Sequence, residues 1–576
     1  MNKKKLAIIG VGPRGLYAAE NFITQLSITE SSTLVELLLF EETGDFGNGQ
    51  VYNTEQVKSN WINITERILT LPKREEVVYN GITIPGFSCY HQWANLNYDE
   101  IDGAEADTYP PRAKIGAYLK QRFTSFITPL LLHKMAFLYQ QKVTNIQIEN
   151  NAKVSITTPN KTYTNLDEVL LTIGHQPTYV TQQLVKWHSN FKSNTNVKLF
   201  LDPYPVKNYI DVTNTKNKTT VGVRGFGLAM LDVMRAAVAK QGTFKITEER
   251  TQKCQFNTGK NVNTVIVPFS LDGLPPVPKP LNKNIDDLYK PSDEQIYNFE
   301  KEIGDKTAQS NATGVDFLVS AIAPIVASIY VSLPHTLEAQ NYTLKQVEEA
   351  AFKWITNQNY KHSLLLPTAT PIVALLNSYI GMATATNAIS LDFCVGQVWR
   401  HCQPSIYKQL SYNNCSNSVF AKIIKLDEEI KRYSYGPPVE SIQQMLALVK
   451  AGILNLDFVN NPEIELSNNG WVLKSKDKSI VANIMVNSVL DAPDITAVKS
   501  DLVKSLLHNE SIKIVNDNLG VHTTKEGYLV EKTTDNILPI ALLGRLAKGT
   551  VIGVDAILEC FGDRPIEWAK AAVKKK

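Results

Sequence analysis

An α/β chain with two Rossmann-like, three-layer halves and a large, mainly helical insertion is what three features of this sequence predict. Two short apolar runs each end in a glycine-rich turn and lead into an amphipathic segment, once near the N-terminus and again at "TTVGVRGFGLAMLDVMRAAV". From 282 to 450 apolar residues recur at helical spacing instead, as in "LDEEIKRY" and "SIQQMLALVKAGIL". A chain of 576 residues has room for several domains at about 100–200 residues each. The expected division is 1–205 and 501–576 for the first half, 206–281 and 451–500 for the second, and 282–450 for the insertion.

The first turn is the more complete. Leu6–Ile9 is an apolar run of the kind buried parallel strands show. Gly10, Gly12 and Gly15 then supply GxGxxG: a tight turn, close approach of backbone to a pyrophosphate, and close packing of helix on strand. Pro13 and Arg14 open a helix expected to reach about Gln25, with its N-terminal dipole toward the phosphates. The next apolar run, Leu34–Phe40, ends in Glu41-Glu42, and Glu41 is placed to accept ribose hydroxyls. The same opening, three lysines and an apolar run, could start a secretory signal. That reading fails because the run stops at Gly10, short of the roughly 7–15 apolar residues a signal needs.

At the second turn the strand Thr219–Val223 leads to Gly225 and Gly227, with Ala229 or Met230 where a third glycine would sit, and then to a helix carrying Asp232. Two such turns imply two dinucleotides, the arrangement of a flavoprotein that takes hydride from a nicotinamide and passes it to FAD.

Composition narrows the class. A content of 43% hydrophobic and 20% charged residues describes a globular chain, and a net charge of +3 argues against a nucleic-acid surface, since no strongly basic block appears beyond the short lysine runs at the two ends, Lys3-Lys4-Lys5 and Lys574-Lys575-Lys576. No apolar run reaches the roughly 18 residues of a membrane span. The most apolar stretch, Gly314–Leu333, contains Asp316 and reads as a buried helix. Cys89, Cys254, Cys394, Cys402, Cys415 and Cys560 are scattered without CxxC spacing, so neither a zinc site nor a redox thiol pair is expected. His401 beside Cys394 and Cys402 reads as helical core. "TNTKNKTT" reads as a short hairpin or loop. The expected location is cytoplasmic, with no metal, membrane or nucleic acid as partner.

Several further pieces, "FGNGQVYNT", "YPPRAKIGAYL", "LLTIGHQP", "DPYP", "DGLPPVPKP" and "LLGRLAKGTVIGVDAI", follow the glycine turns in a set order along the chain. With them, the chain resembles the FAD/NAD(P)-binding proteins related to flavin-containing N-hydroxylating and Baeyer–Villiger monooxygenases. The resemblance implies an FAD-dependent oxidoreductase: NAD(P)H reduces FAD, dioxygen forms a C4a-peroxyflavin, and one oxygen atom goes to a small molecule. No catalytic side chain is singled out, because the flavin carries the hard chemistry. Two alternatives stay open, an FAD dehydrogenase or reductase with another acceptor, and a non-catalytic flavin-binding protein with a degenerate nicotinamide site.

The same resemblance assigns further cofactor residues. Gly47 and Gly49 belong to a flavin-facing loop. Arg112 pairs with a pyrophosphate or an anionic substrate, or else satisfies loop carbonyls. Gly174 and His175 lie in the crossover out of the first half, with His175 as acid/base or as a structural turn residue. Gly544, Gly549 and Thr550 precede a helix expected from Val551, close to the pyrophosphate or the pyrimidine edge of the flavin. Two departures stand out. Asp272 occupies the region where relatives carry cations for a 2′-phosphate, which favours NADH over NADPH. "VLDAPD" (489–494) replaces a strand ending in Ala-Thr-Gly, which motivates the degenerate-site alternative. The insertion is expected to roof the flavin, with Trp399 in the roof, or else to form a dimerisation lobe of a homodimer.

Overall fold

The strand Lys3–Ile9 lies between Leu34–Phe40 and Glu168–Leu171, parallel to both. Ala136–Tyr139 extends the sheet on one side, and Ile537–Leu542 on the other, again in parallel; Tyr528–Val530 closes that edge antiparallel. This computed structural model describes residues 3–575 apart from 99, 151, 214–217, 260, 261, 492, 510, 511 and 517. Of the stretch "TNTKNKTT" (213–220), residues 214–217 lie outside the described residues and Thr219 already begins a strand.

Side chains of a strand alternate between faces, and the core follows that period. Leu6, Ile8, Leu37 and Leu39 pack under the helices Pro13–Ile28, Arg112–Leu132 and Asp563–Lys574. Ala7, Ile9, Leu38 and Phe40 face an antiparallel ribbon (Asn145–Ile148, Val154–Thr157, Thr162–Leu166) and the helix Asp501–Asn509. Each fully buried Leu or Ile there contributes about 1.5–3 kcal/mol. One buried polar knot pins the helical layer: Glu20 accepts from Arg122 Nε (3.0 Å) and Nη2 (2.7 Å) and from Arg74 Nη1 (2.6 Å).

The second sheet is all parallel, in the order Lys198–Phe200, Ile484–Asn487, Thr219–Arg224, Thr264–Phe269. Its plan repeats the first. In both halves a glycine-turn strand sits between the next strand of its own sheet and a strand that comes after an antiparallel ribbon; in the second half the antiparallel pair Gly242–Glu248 and Lys253–Thr258 intervenes outside the sheet. In the second half that ribbon is Glu463–Ser467, Gly470–Ser475 and Lys478–Ala482.

Helices from Lys283–Asp287 to Val439–Lys450 fill the predicted helical stretch, including Asp316–Ser332 as a largely buried helix. They share one continuous core with Val221, Val223 and Ile266 of the second sheet. The helix Leu228–Val238 is therefore sandwiched between sheet and helices, and Ala229 through Val238 are all buried. Trp399 is fully buried in this core, its indole N–H donating to Asp427 Oδ1 at 3.0 Å.

Candidate functional site

The first turn is tight for visible reasons. Gly10 has φ +86°, its N–H donates to Phe40 O at 2.8 Å, and a Cβ there would lie 2.7 Å from Thr172 O. A Cβ on Gly15 would meet Gly10 O at 2.6 Å, so helix and strand touch as the motif requires. Gly12 differs: its backbone is extended, and a Cβ would find only the Gly49 backbone, at 3.7 Å and beyond. No side chain caps the Pro13–Ile28 helix. The loop with Gly47 (φ +88°) and Gly49 (φ +64°) is laid against this turn by the Gly47 N–H to Val11 O bond of 2.6 Å. The helix N-terminus thus opens onto a strip of bare backbone, the form an anion-binding end takes.

Charges around the strip suit a phosphorylated ligand. Arg14 donates to Val554 O (3.1 Å) and packs on Gly544, where a Cβ would come within 2.5 Å of its guanidinium. Arg564, from the C-terminal helix, buries Nε and Nη2 without any partner. Burial, with Tyr412 opposing and Arg14 adding like charge, depresses the Arg564 pKa. Orphaned guanidinium nitrogens near a second arginine fit a bound pyrophosphate. Glu41, at the end of its strand, is largely buried; burial raises its carboxyl pKa against hydrogen bonds from Thr43. Asn48 Oδ1 in the glycine loop is also buried without a partner.

The second turn reproduces the first. Gly225 has φ +122°, its N–H donates to Phe269 O at 2.7 Å, and a Cβ would meet Ser488 Oγ at 2.4 Å. Ser488 stands to Gly225 as Thr172 stands to Gly10, each hydroxyl bonding the glycine-turn backbone. Gly227 precedes the helix uncapped, with open space where its Cβ would be. "VLDAPD" is the return crossover between the halves: Asp491 accepts from Thr178 Oγ1, and Tyr179 N–H donates to Ala497 O at 2.9 Å. It leaves the glycine turn intact.

The register places Asp272 two residues beyond the position that follows the strand. Ser270, not Asp272, follows Phe269 as Glu41 follows Phe40. The Asp272 carboxylate is taken up by its own turn, accepting from Leu274 N–H at 3.1 Å, and by an ion pair with Arg432. A helix from Val551 is likewise absent. A 3₁₀ turn occupies Arg545–Ala547, and helix resumes only at Ile557–Cys560 and Asp563–Lys574. Within the non-helical stretch Gly553 lies against the ring of Tyr407, which a Cβ there would meet.

The remaining predicted residues divide by place. Pro13, Arg14 and Gly544 gather with the first turn. Gly549 and Thr550 face the 515–523 segment instead, with Thr550 Oγ1 donating to Val521 O at 3.1 Å. Gly174 (φ +62°) and exposed His175 lie on the outward crossover. Arg112 sits at the junction of the halves, stacked over Tyr204 (4.9 Å to the ring centre), donating to its hydroxyl at 3.2 Å, and 3.6 Å from Asp232. Buried Arg235 completes that knot, bonding Gln444 (2.8 Å) and covering Trp61 at 4.1 Å. Arg564, Arg235 and Arg432 went unnoticed in sequence because they meet residues far along the chain, and Asn48, inside the glycine loop, because burial of its Oδ1 without a partner leaves no mark in the sequence. Among the described residues no group of His, Cys, Asp and Glu could hold a metal ion, and no helix is long and apolar enough to cross a membrane.

Two uncapped glycine turns of matching geometry, each at the end of an inner strand with parallel neighbours on both sides, define a protein of the double dinucleotide-fold class. Residues 7–176 match the family model described as FAD-NAD(P)-binding, so an FAD/NAD(P)-binding domain occupies this part of the chain. The chain is 24% identical over 238 residues to the nitrosuccinic acid synthase of Aspergillus oryzae, covering 41% of this chain and 36% of the relative. It is also 24% identical over 255 residues to the uncharacterized protein YdhS of Escherichia coli, covering 42% and 40% respectively. The matched stretch is well under half the length of either relative. Among solved structures, ornithine hydroxylase from Pseudomonas aeruginosa aligns with a TM-score of 0.47 at 8% identity, covering 100% of this chain and 99% of that one. L-lysine 6-monooxygenase from Pseudomonas syringae aligns at 0.45 and 12%, covering 99% of each.

Proposed function

We propose that this protein is an FAD-dependent, NAD(P)H-oxidising monooxygenase acting on a small molecule. The observation that carries the reading is the pair of glycine turns, both open to a dinucleotide and joined through the Arg112–Tyr204–Asp232 knot. In this reading Gly12, Gly49, Arg14 and Arg564 hold the FAD pyrophosphate, and Glu41 holds its ribose. Gly225, Gly227 and the N-terminus of Leu228–Val238 take the nicotinamide dinucleotide. Bound FAD supplies acceptance of hydride and activation of dioxygen. The chain's own residues orient and shield. Helices 391–410 and 417–434 lie over the loop that carries Gly553 and Asp555, through Tyr407 on Gly553 and through Lys548, which pairs with Glu428 and Asp555. That cover supports a roof that excludes water from the reacting face.

The same reading divides the chain at about 205, 281, 450 and 500, as the two sheets and the helical stretch suggest. A cytoplasmic location agrees with six free cysteines. The test is to mix the FAD-loaded protein with NADH or NADPH under nitrogen and then admit air. Bleaching of the flavin followed by oxygen uptake, with little free peroxide once substrate is present, is the expected result. Bleaching that air does not reverse would mark a dehydrogenase with another acceptor. Failure of both nucleotides to bleach the flavin would refute the proposal.

A further inference from the structure

Parallel strands buried on both faces are apolar along their length, yet the strand Glu168–Leu171 opens on an acid that is 1% exposed. Its Oε1 accepts from the Tyr528 hydroxyl and from the Trp568 indole N–H, both at 2.8 Å. Its Oε2 accepts no hydrogen bond, and Lys4 Nζ stands 4.0 Å away. Desolvating a buried acid is expensive, and an apolar residue of similar size would pack here without that cost. What the acid adds is direction, because an indole has a single N–H and reaches it from one orientation of the ring.

That direction bears on a residue four positions upstream. The helix Asp563–Lys574 runs down the sheet from the first glycine turn. Arg564, in its first turn, is close enough to Arg14 to feel its charge. Trp568 meets Glu168, whose strand neighbour is Leu6, and Ala572 O accepts from Lys4 Nζ at 2.5 Å. Positions 564 and 568 share one face of the helix, about 6 Å apart along its axis. The strand from Glu168 to Leu171 covers about 10 Å and ends beside Ile9, next to the turn. The acid thus holds the helix at one end of the sheet, and the orphaned Nε and Nη2 of Arg564 lie toward the other. A slip of one helical turn would carry Arg564 about 5.4 Å, beyond the reach of a hydrogen bond.

We propose that Glu168 and Trp568 are positioning residues for the FAD pyrophosphate, setting the register of the C-terminal helix that brings Arg564 to the first glycine turn. This rests on the FAD site proposed above. Neither residue touches the cofactor; their effect passes through the helix. The Trp568 ring is fully buried and lies 5.8 Å from Phe22 of the helix Pro13–Ile28, so one side chain ties the C-terminal helix both to the sheet and to the helix that begins at the turn. Tyr528, from the edge strand, holds the same carboxylate oxygen in place.

The experiment is fluorescence titration of the flavin-stripped full chain with FAD, in wild type, Arg564→Gln, Trp568→Phe, their double variant and Glu168→Gln. Arg564→Gln should raise the FAD Kd about ten- to a hundredfold by removing a charge-assisted contact. Trp568→Phe keeps a ring and loses the N–H, and should raise the Kd about three- to tenfold. In the double variant it should add less than about twofold, because the contact it positions is already gone. Glu168→Gln keeps the acceptor and should bind FAD within about threefold of wild type. Should Trp568→Phe not fold, Glu168→Leu, which removes the acceptor, takes its place in the cycle with the same expectation. A bond that serves stability alone would shift the urea midpoint and leave the Kd unchanged, or add in full to Arg564→Gln. Either result overturns the proposal and leaves the FAD site standing, as does a Glu168→Gln protein that binds as weakly as Trp568→Phe. An Arg564→Gln protein that binds FAD as wild type does overturns the proposal together with the pyrophosphate role of Arg564.

Discussion

Gly10 and Gly12 are two residues apart in one motif, and the structure separates their duties. At Gly10 the backbone is left-handed (φ +86°), and a Cβ would lie 2.7 Å from Thr172 O and 2.9 Å from Ile173 Cα. Gly10→Ala should therefore destabilise the fold itself. Conformational strain of roughly 1–2 kcal/mol adds to about 1–3 kcal/mol of overpacking, or about 2–5 kcal/mol together. At Gly12 φ is −80°, and the added methyl would touch only Gly49 Cα, at an ordinary 3.7 Å. Gly12→Ala should leave the apo chain within about 1 kcal/mol of wild type, since a Gly→Ala change in an allowed conformation is mildly favourable. The methyl would nevertheless stand over the helix N-terminus. Losing one charge-assisted contact of about 1.5–3 kcal/mol raises the FAD Kd about ten- to a hundredfold. Urea unfolding of flavin-stripped protein and a fluorescence titration with FAD measure the two quantities separately. If Gly12→Ala binds FAD as wild type does, or loses as much stability as Gly10→Ala, the assignment of the first turn is wrong.

Other expectations follow from named contacts. Glu20→Ala strands the buried guanidiniums of Arg74 and Arg122 and should lower stability by about 3–5 kcal/mol in denaturant titration; a loss below about 1 kcal/mol would contradict the buried network. Trp399→Ala should lose about 3–5 kcal/mol through the core of the helical region, whereas Gly553→Ala, pressing on Tyr407, should raise peroxide release with FAD retained. A peroxide yield unchanged in Gly553→Ala argues against the roof. Burial, against the Ala556 N–H and with Asp555 adding repulsion, raises the Glu559 carboxyl from 4.5 to about 7. The native state then binds more protons than the unfolded chain between those values, so stability falls as pH rises through that window and levels above it. Glu559→Gln should flatten this fall in unfolding curves taken from pH 5 to 8, and an equally steep fall in the variant would remove Glu559 as its source.

What could be read from the sequence was local. Gly10, Gly12 and Gly15 are legible because strand, turn and helix succeed one another within a few residues, Gly10 and Gly15 having a steric reason in the fold itself and Gly12 leaving the helix N-terminus bare. The helical stretch is legible because its burial has a 3.6-residue period. The place of Asp272 is counted in sequence from "DGLP", whereas pairing of Thr264–Phe269 with Thr219–Arg224 sets the register and puts Ser270 at the strand end. The partner of "VLDAPD", the crossover through Thr178, could not be read from sequence because it lies 313 residues earlier, as the Thr178–Asp491 bond shows. Arg564 and Arg432 carry no motif at all. Each acquires meaning only when a distant helix brings it beside a glycine turn or a strand end.

The sheet bearing the first turn draws strands from both extremes of the chain, with Ile537–Leu542 paired to Glu168–Leu171, and Lys4 donating to Ala572 O at 2.5 Å and Lys575 O at 3.0 Å. During synthesis at about 5–20 residues per second, the ribosome presents the GxGxxG strand many seconds before its last neighbours exist. Until then one flank of Glu168–Leu171 is an unpaired parallel edge, and the floor beneath Pro13–Ile28 lacks Trp568. Such an edge invites wrong partners, and closing it late is slow because its contacts are so distant along the chain. Nascent chains halted before residue 537 should consequently recruit chaperones and fail to retain flavin, although every residue of the first glycine motif has already been made.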